Sequence, residues 1–158
     1  MSTEPRSHTE GKSRWGQERR LAFIDLRLQF DGRINRGDLT GFFKISAPQA
    51  TQDLARYSAV APGNLIYDSS SKMFVASPSF TPHFSGTDAR AYLAEVAAVT
   101  AGVIERDHSF IGFLPDTGIV STPSRPLRAS VVASFVHAIR DKLSLELDYQ
   151  SMRSPGLR

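Results

Sequence analysis

"GDLTGFFKISAPQATQDLARYSAVAPGNLIYDSSSKMFVA", residues 37–76, sets two short helical patterns almost back to back and follows them with a polar hairpin. The first pattern runs from Arg36 to Phe43, buries Leu39, Phe42 and Phe43, and has Asn35 in front of it as N-cap. "KIS" is the turn between the two. Ser46 then caps a further helix with Pro48 in its first turn, where a missing N–H costs nothing. That helix extends to about Tyr57 or Ala59 and stops before Pro62-Gly63. Ala47, Ala50, Leu54 and Tyr57 form one apolar stripe along it, with Gln49, Gln52 and Arg56 on the other side and Asp53 at the edge. The small Ala50 lets the helix approach its predecessor closely. Leu65 and Tyr67, then Met73 and Val75, alternate with lesser partners around "DSSSK", the pattern of a two-stranded hairpin.

Upstream, Leu21, Phe23, Ile24, Leu26, Leu28 and Phe30 recur near three and four residues and predict an amphipathic helix from Arg14 to about Phe30. Asp31-Gly32 breaks it, with Gly32 as left-handed C-cap and Ile34 as a lone apolar residue in the turn. Helix, helix, turn, helix, hairpin is the order of a winged helix-turn-helix, placed over residues 14–80. Residues 1–13 are polar, lack periodicity and read as a disordered arm. Downstream, Thr87 or Asp88 caps a helix with a stripe of Tyr92, Val96, Val99 and Val103. A loop with a short strand at Gly118–Thr122 follows. A helix from Pro126 to about Leu143 then carries Leu127, Val131, Val132, Phe135, Val136 and Ile139, and a strand over Ser144–Ser151 has Leu145, Leu147 and Tyr149 on one face. The fold class expected is α+β, mainly α: a winged domain, a helical linker over residues 81–143, and a terminal strand over residues 144–158.

Composition narrows the chemistry. The 158 residues are 41% hydrophobic and 22% charged, as in an ordinary globular protein. No cysteine means no disulfide framework, which fits a reducing cytoplasm, and the N-terminus lacks a signal-peptide apolar core. No run approaches the ~18 apolar residues of a membrane span. His8, His83, His108 and His137 are scattered without ligand spacing, so neither a metal nor a cofactor is expected. Asp107-His108-Ser109 are adjacent in sequence, which gives no triad geometry, and no catalytic residue is assigned. The net charge of +3 is unevenly placed: residues 1–76 hold 11 Lys and Arg against 8 Asp and Glu, whereas residues 77–158 hold 8 against 8. Arg14, Arg19, Arg20, Arg27, Arg33 and Arg36 crowd into one span, a pointer to a polyanionic partner or simply to a solvated surface.

A helix 10–12 Å across fits the ~12 Å major groove of B-DNA. Gln pairs bidentately with adenine and Arg with guanine, so Gln49, Gln52 and Arg56 are placed on base edges. Ser46, the helix N-terminus and Lys72 are placed on phosphates, and Arg36 joins the DNA-contacting set. The competing reading is a winged helix used for dimerisation or partner docking, with no DNA contact at all.

The run "RINRGDLTGFFKISAPQATQDLARYSAVAPGNLIYDSSSKMFVA" resembles the N-terminal part of bacterial WYL-domain transcriptional regulators found beside phage-defence operons, the BREX and CBASS regulators. The likeness continues through "AYLAEV" and returns at "RASVVASFVHAIRDKLSLELDYQSMRSP", which resembles the helix entering a WYL domain and that domain's first strand. The resemblance implies a cytoplasmic, homodimeric repressor on double-stranded DNA, with linker helices that help form the dimer. In the family the first strand continues into a ligand-sensing barrel. Here the sequence stops at Arg158, so a truncated WYL domain without an effector site is expected.

Overall fold

Asn35 and Asp38 cap each other. The Asp38 N–H donates to Asn35 Oδ1 at 3.0 Å and the Asn35 N–H to Asp38 Oδ2 at 2.8 Å, a reciprocal arrangement that satisfies two first-turn donors. The computed structural model describes residues 8–86, 88–118 and 127–148. From the capping box runs α2, Arg36–Phe43, and from Ser46, whose hydroxyl accepts from the Gln49 N–H, runs α3, Ala47–Val60. Before both lies α1, His8–Leu26, extended by one π-helical turn over Arg27–Asp31 and ended by Gly32 at φ 70°. Helix α1 thus starts inside the segment read as a disordered arm. Apart from Gly11, the residues from His8 to Ser13 contain no strong helix breaker, and they continue the helix as polar turns.

Three short strands make an antiparallel sheet in the order β1-β3-β2: β1 Arg33–Ile34, β2 Leu65–Asp68 and β3 Met73–Ala76. Ile34, read as a lone turn residue, is instead a fully buried strand residue opposite Phe74. Two residues are too few to show the alternation that marks a strand. The hairpin is present, but one face was misread. Leu65 pairs with Ala76 and Tyr67 with Phe74, so Phe74 and Ala76, not Met73 and Val75, share the face of Leu65 and Tyr67. The four residues between paired Asp68 and Met73 set that parity.

The π turn stands between two cores. Leu28 belongs to the first, with Leu21, Phe23, Ile24, Ile34, Leu39, Ala50, Leu54 and Tyr57. There Phe23 stacks on Phe42 at 5.1 Å and meets the edges of Phe43 at 5.3 Å and Phe110 at 5.2 Å. Phe30 belongs to the second core and stacks on Tyr92 at 3.8 Å, beside Val96, Ile111, Ala129, Ala133 and Val136. That core is built by α4, Arg90–Thr100, and α5, Ala129–Asp141.

Several downstream expectations change. Helix α4 has Ala89 at its N-cap position without a side-chain bond, while Asp88 accepts from the Arg90 N–H just outside; Thr87 lies outside the described residues. The helix ends at Thr100, and Val103, beyond the left-handed Gly102, is 78% exposed instead of continuing the stripe. Helix α5 is shorter than Pro126–Leu143: it begins at Ala129, Pro126 lies outside the described residues, and Lys142 at φ 55° ends it before Leu143. No strand forms over residues 144–148, where Leu145 and Leu147 are exposed, and residues 149–151 lie outside the described residues. A strand exists only through ladder bonds, and among the described residues none of the three paired strands pairs with this stretch. The expected strand at Gly118–Thr122 falls outside the description from residue 119 on.

Candidate nucleic-acid interface

Helix α3 is held from beneath by Ala50, Asp53, Leu54 and Tyr57, all buried. Ala47, expected in that stripe, is exposed, and Asp53, expected at the edge, is fully buried. A carboxylate goes inside because a cation meets it there. Arg20 of α1 donates its Nε to Asp53 Oδ2 at 2.6 Å and its Nη2 to Oδ1 at 3.2 Å. Such a two-point guanidinium–carboxylate pair compensates much of the desolvation that burial imposes. It rivets α3 to α1. Behind it, Tyr57 donates its hydroxyl to Asp25 at 2.6 Å, and the N–H groups of His83, Phe84 and Ser85 converge on the same carboxylate. Burial, then the bond to Asp25, pushes the Tyr57 phenol well above its ordinary range, so it stays a neutral donor.

The outward crest of α3 carries Gln52 and Arg56, both exposed and without side-chain hydrogen bonds among the described residues. Gln49 differs: it is half-buried on the flank towards α1 and donates its Nε2 to Asp53 Oδ1 at 3.2 Å. On the opposite flank a groove of about 380 Å³ separates α3 from the hairpin, or wing. Arg36 and Lys72 both line it, with Thr51, Ala55 and Ser58 along the helix and Tyr67 on the wing. The structure therefore brings Arg36 and Lys72 together, one at the start of α2 and one at the wing turn, where φ is 55°. Thr51, Ala55 and Ser58 were missed as lining residues. Their i, i+4, i+7 spacing marks one helix flank, but small side chains carry no chemistry that stands out in sequence.

The tip of the wing is shaped by Asp68. It accepts from the Ser70 N–H at 2.9 Å and from the hydroxyls of Ser70 and Ser71 at 2.6 and 2.7 Å. Those bonds, the Ser70 hydroxyl foremost, pull its carboxyl down to about 2, so it is ionised at neutral pH. At the start of α3, Pro48 has no N–H and the Gln49 N–H is spent on Ser46 Oγ, which leaves Ala47 as the open first-turn donor. Ser46 is exposed, but its oxygen already serves the cap.

The arginine cluster divides. Arg20 is taken up by Asp53, and Arg27 pairs with Asp31 at 2.5 Å and with Asp38 at 3.5 Å. Arg14 pairs with Glu18, while Arg19 lies over the rings of Trp15 and Phe110 at 5.4 Å each. Exposed cations on α2, on α3, in the turn between them or on the wing are Arg36, Lys44, Arg56 and Lys72, whereas the exposed Arg33 of β1 acts on Asp141 at the end of α5. The positive surface is thus smaller than the raw count implies, and it is gathered near α2, α3 and the wing. No helix among the described residues is long and apolar enough to cross a membrane.

Residues 16–98, more than half of the chain, match the family described as the BrxR transcriptional regulator winged helix-turn-helix domain. The chain is also similar to proteins named DNA-binding transcriptional repressor CapW. The one from Stenotrophomonas maltophilia is 49% identical over 149 residues, covering 94% of this chain and 50% of that protein. The one from Escherichia coli (strain KTE188) is 41% identical over 143 residues, covering 90% and 48%, and the one from Pseudomonas aeruginosa is 39% identical over 152 residues, covering 96% and 51%. The chain spans about half the length of these curated relatives. Its capped α2–α3 pair, three-stranded wing and matching sequence agree, and the chain belongs to the BrxR family of winged helix-turn-helix transcriptional regulators.

Proposed function

We propose that this chain is a sequence-specific DNA-binding transcriptional regulator, a repressor acting as a homodimer on an inverted-repeat operator in the cytoplasm. The observation that carries the reading is the division of α3. One face is pinned by Leu54, Tyr57 and the Arg20–Asp53 pair, and the crest carries Gln52 and Arg56, exposed and without side-chain hydrogen bonds among the described residues. Gln49, Gln52 and Arg56 would meet base edges, with Ser46, Arg36 and Lys72 on the phosphates that flank the groove. The relatives' shared name supports DNA as partner and a role without catalysis. Residues 14–80 would be the reader, residues 81–143 the linker and dimer-forming part, and residues 144–158 the start of a WYL domain. Two readers related by a two-fold axis would sit about 34 Å apart, one turn of duplex.

Binding of the purified chain to the DNA upstream of its own gene, at two salt concentrations, tests this. The reading expects log affinity to fall with log salt by about 0.9 per phosphate neutralised, and specific binding to vanish when Gln49, Gln52 and Arg56 are all Ala. Unchanged discrimination in that triple variant would leave the competing reading, a protein-interaction module. A specific observation favours some self-association in either case: Val131, Phe135 and Ile139 form an exposed apolar row on α5.

A further inference from the structure

Of Gln49, Gln52 and Arg56, Gln49 is the one whose side chain is already bonded among the described residues. Its partner Asp53 is fully buried, with both carboxylate oxygens engaged by Arg20. A carboxylate held by a guanidinium fork only accepts, so it must be the Nε2 of Gln49, not Oε1, that faces it. This fixes which way round the amide points. Once one N–H is given to Asp53, Gln49 keeps a second N–H and the Oε1 acceptor, the pair of groups that meets N7 and the N6 amino group of adenine. A glutamine without such a partner, such as Gln52, presents either orientation and loses rotamer freedom when it binds.

We infer that Asp53, anchored by Arg20, is a positioning residue that sets the polarity of the Gln49 amide and so commits the first turns of α3 to an adenine. The inference rests on the proposed DNA-reading role of α3. One buried carboxylate then does two things: it fastens α3 to α1 and it chooses what Gln49 can read. The placement suits recognition, because the N-terminal residues of a recognition helix are those that reach base edges.

The test uses the full chain and the duplex site it selects from a randomised library, with each base pair of that site then changed singly. Gln49→Ala is expected to lose discrimination at one A·T position by about 5- to 150-fold, the range of one good bidentate contact. Asp53→Asn is expected to lose discrimination at that same position, and to add nothing in a Gln49→Ala background. Because Asp53→Asn leaves Arg20 without its counter-charge and risks unfolding, ¹⁵N relaxation of the unaltered, DNA-free chain is the second measurement. There the side-chain amide of Gln49 is expected to be nearly as restricted as the backbone, and that of Gln52 mobile. Equal mobility of the two amides overturns the inference. So does an Asp53→Asn effect that is uniform across all base pairs or that persists without Gln49. If Gln49→Ala is silent while Gln52→Ala or Arg56→Ala loses discrimination, the positioning role falls and DNA reading stands. If all three are silent, the DNA reading falls with it.

Discussion

Helices α1 to α3 and helix α5 treat their apolar residues in opposite ways. In the first group the large side chains Phe23, Ile24, Leu28, Leu39 and Tyr57 turn inward and are almost completely buried. In α5 the small ones turn inward: Ala129, Ala133 and Ala138 are buried with Val136, while Val131, Phe135 and Ile139 face outward at 39%, 41% and 47% exposure. Both patterns read as amphipathic helices in sequence. The difference teaches that periodicity finds a helix with apolar surface to cover, not which surface of the chain covers it. Small residues let α5 lie close against the π turn, and its larger residues remain available to another surface.

The sharpest way to break the contrast is inside the first core. Phe23→Ala removes the ring shared by Phe42, Phe43 and Phe110, and is expected to cost about 3–5 kcal/mol, or roughly 2–4 °C of Tm per kcal/mol. Thermal denaturation followed by circular dichroism measures it, and a change under 1 kcal/mol by order of magnitude would mean the cluster is not a core. Next in size, Arg56→Ala is expected to weaken binding by about 1–3 kcal/mol at a single base position if it reads a guanine. Equal loss on random DNA would move Arg56 to the backbone. On α5, Phe135→Ser is expected to leave monomer stability within about 0.5 kcal/mol while weakening self-association, read by sedimentation at several concentrations. A large stability loss without any change in assembly would show that the outward row is covered by the chain itself.

The smallest effects come from pH, and they differ between the two regions. Burial above all, then the charge of Arg140, holds the His137 imidazole below its ordinary range. A neutral form preferred in the fold contributes stability that is full above about pH 6.5 and fades as pH falls through the folded value. Docking of α5 on the π turn is therefore expected to loosen first on acidification. Asp68 is drawn down to about 2, so its contribution to the wing tip is present above about pH 4 and is lost only as pH falls towards 2. Amide chemical shifts of Ser70 and of the α5 backbone, followed over one titration, separate the two. Loosening of the wing ahead of α5 would reverse the assignment.

What could be read in sequence was whatever local chemistry decides. Asn35, Ser46, Pro48 and Gly32 each act through their own backbone neighbours, and each lies where its residue type demands. The exposed crest of Gln52 and Arg56 was legible for the same reason, as polar residues opposite an apolar stripe. What escaped depends on distant partners. Asp53 looked like a surface residue because Arg20 lies 33 positions away, and Ile34 looked stray because Phe74 lies across the sheet. Hairpin parity turned on the number of residues between Asp68 and Met73, and the pairing of Arg36 with Lys72 around one groove needed the wing folded back. The expected strand from Ser144 had the right alternation and no neighbour to pair with among the described residues.

Asp25 carries a practical consequence for anyone who wishes to excise the winged-helix domain. Its carboxylate is fully enclosed and takes hydrogens from His83, Phe84 and Ser85, all downstream of Phe80. A fragment that stopped at Phe80 would leave an anion with Tyr57 as its remaining side-chain donor and would strip Phe110 from the rings of Phe23, Phe42 and Phe43. A fragment that keeps these contacts must therefore reach Phe110, past residue 98 where the match to the winged helix-turn-helix domain family ends. Independence, for this winged helix, is borrowed from the segment that follows it.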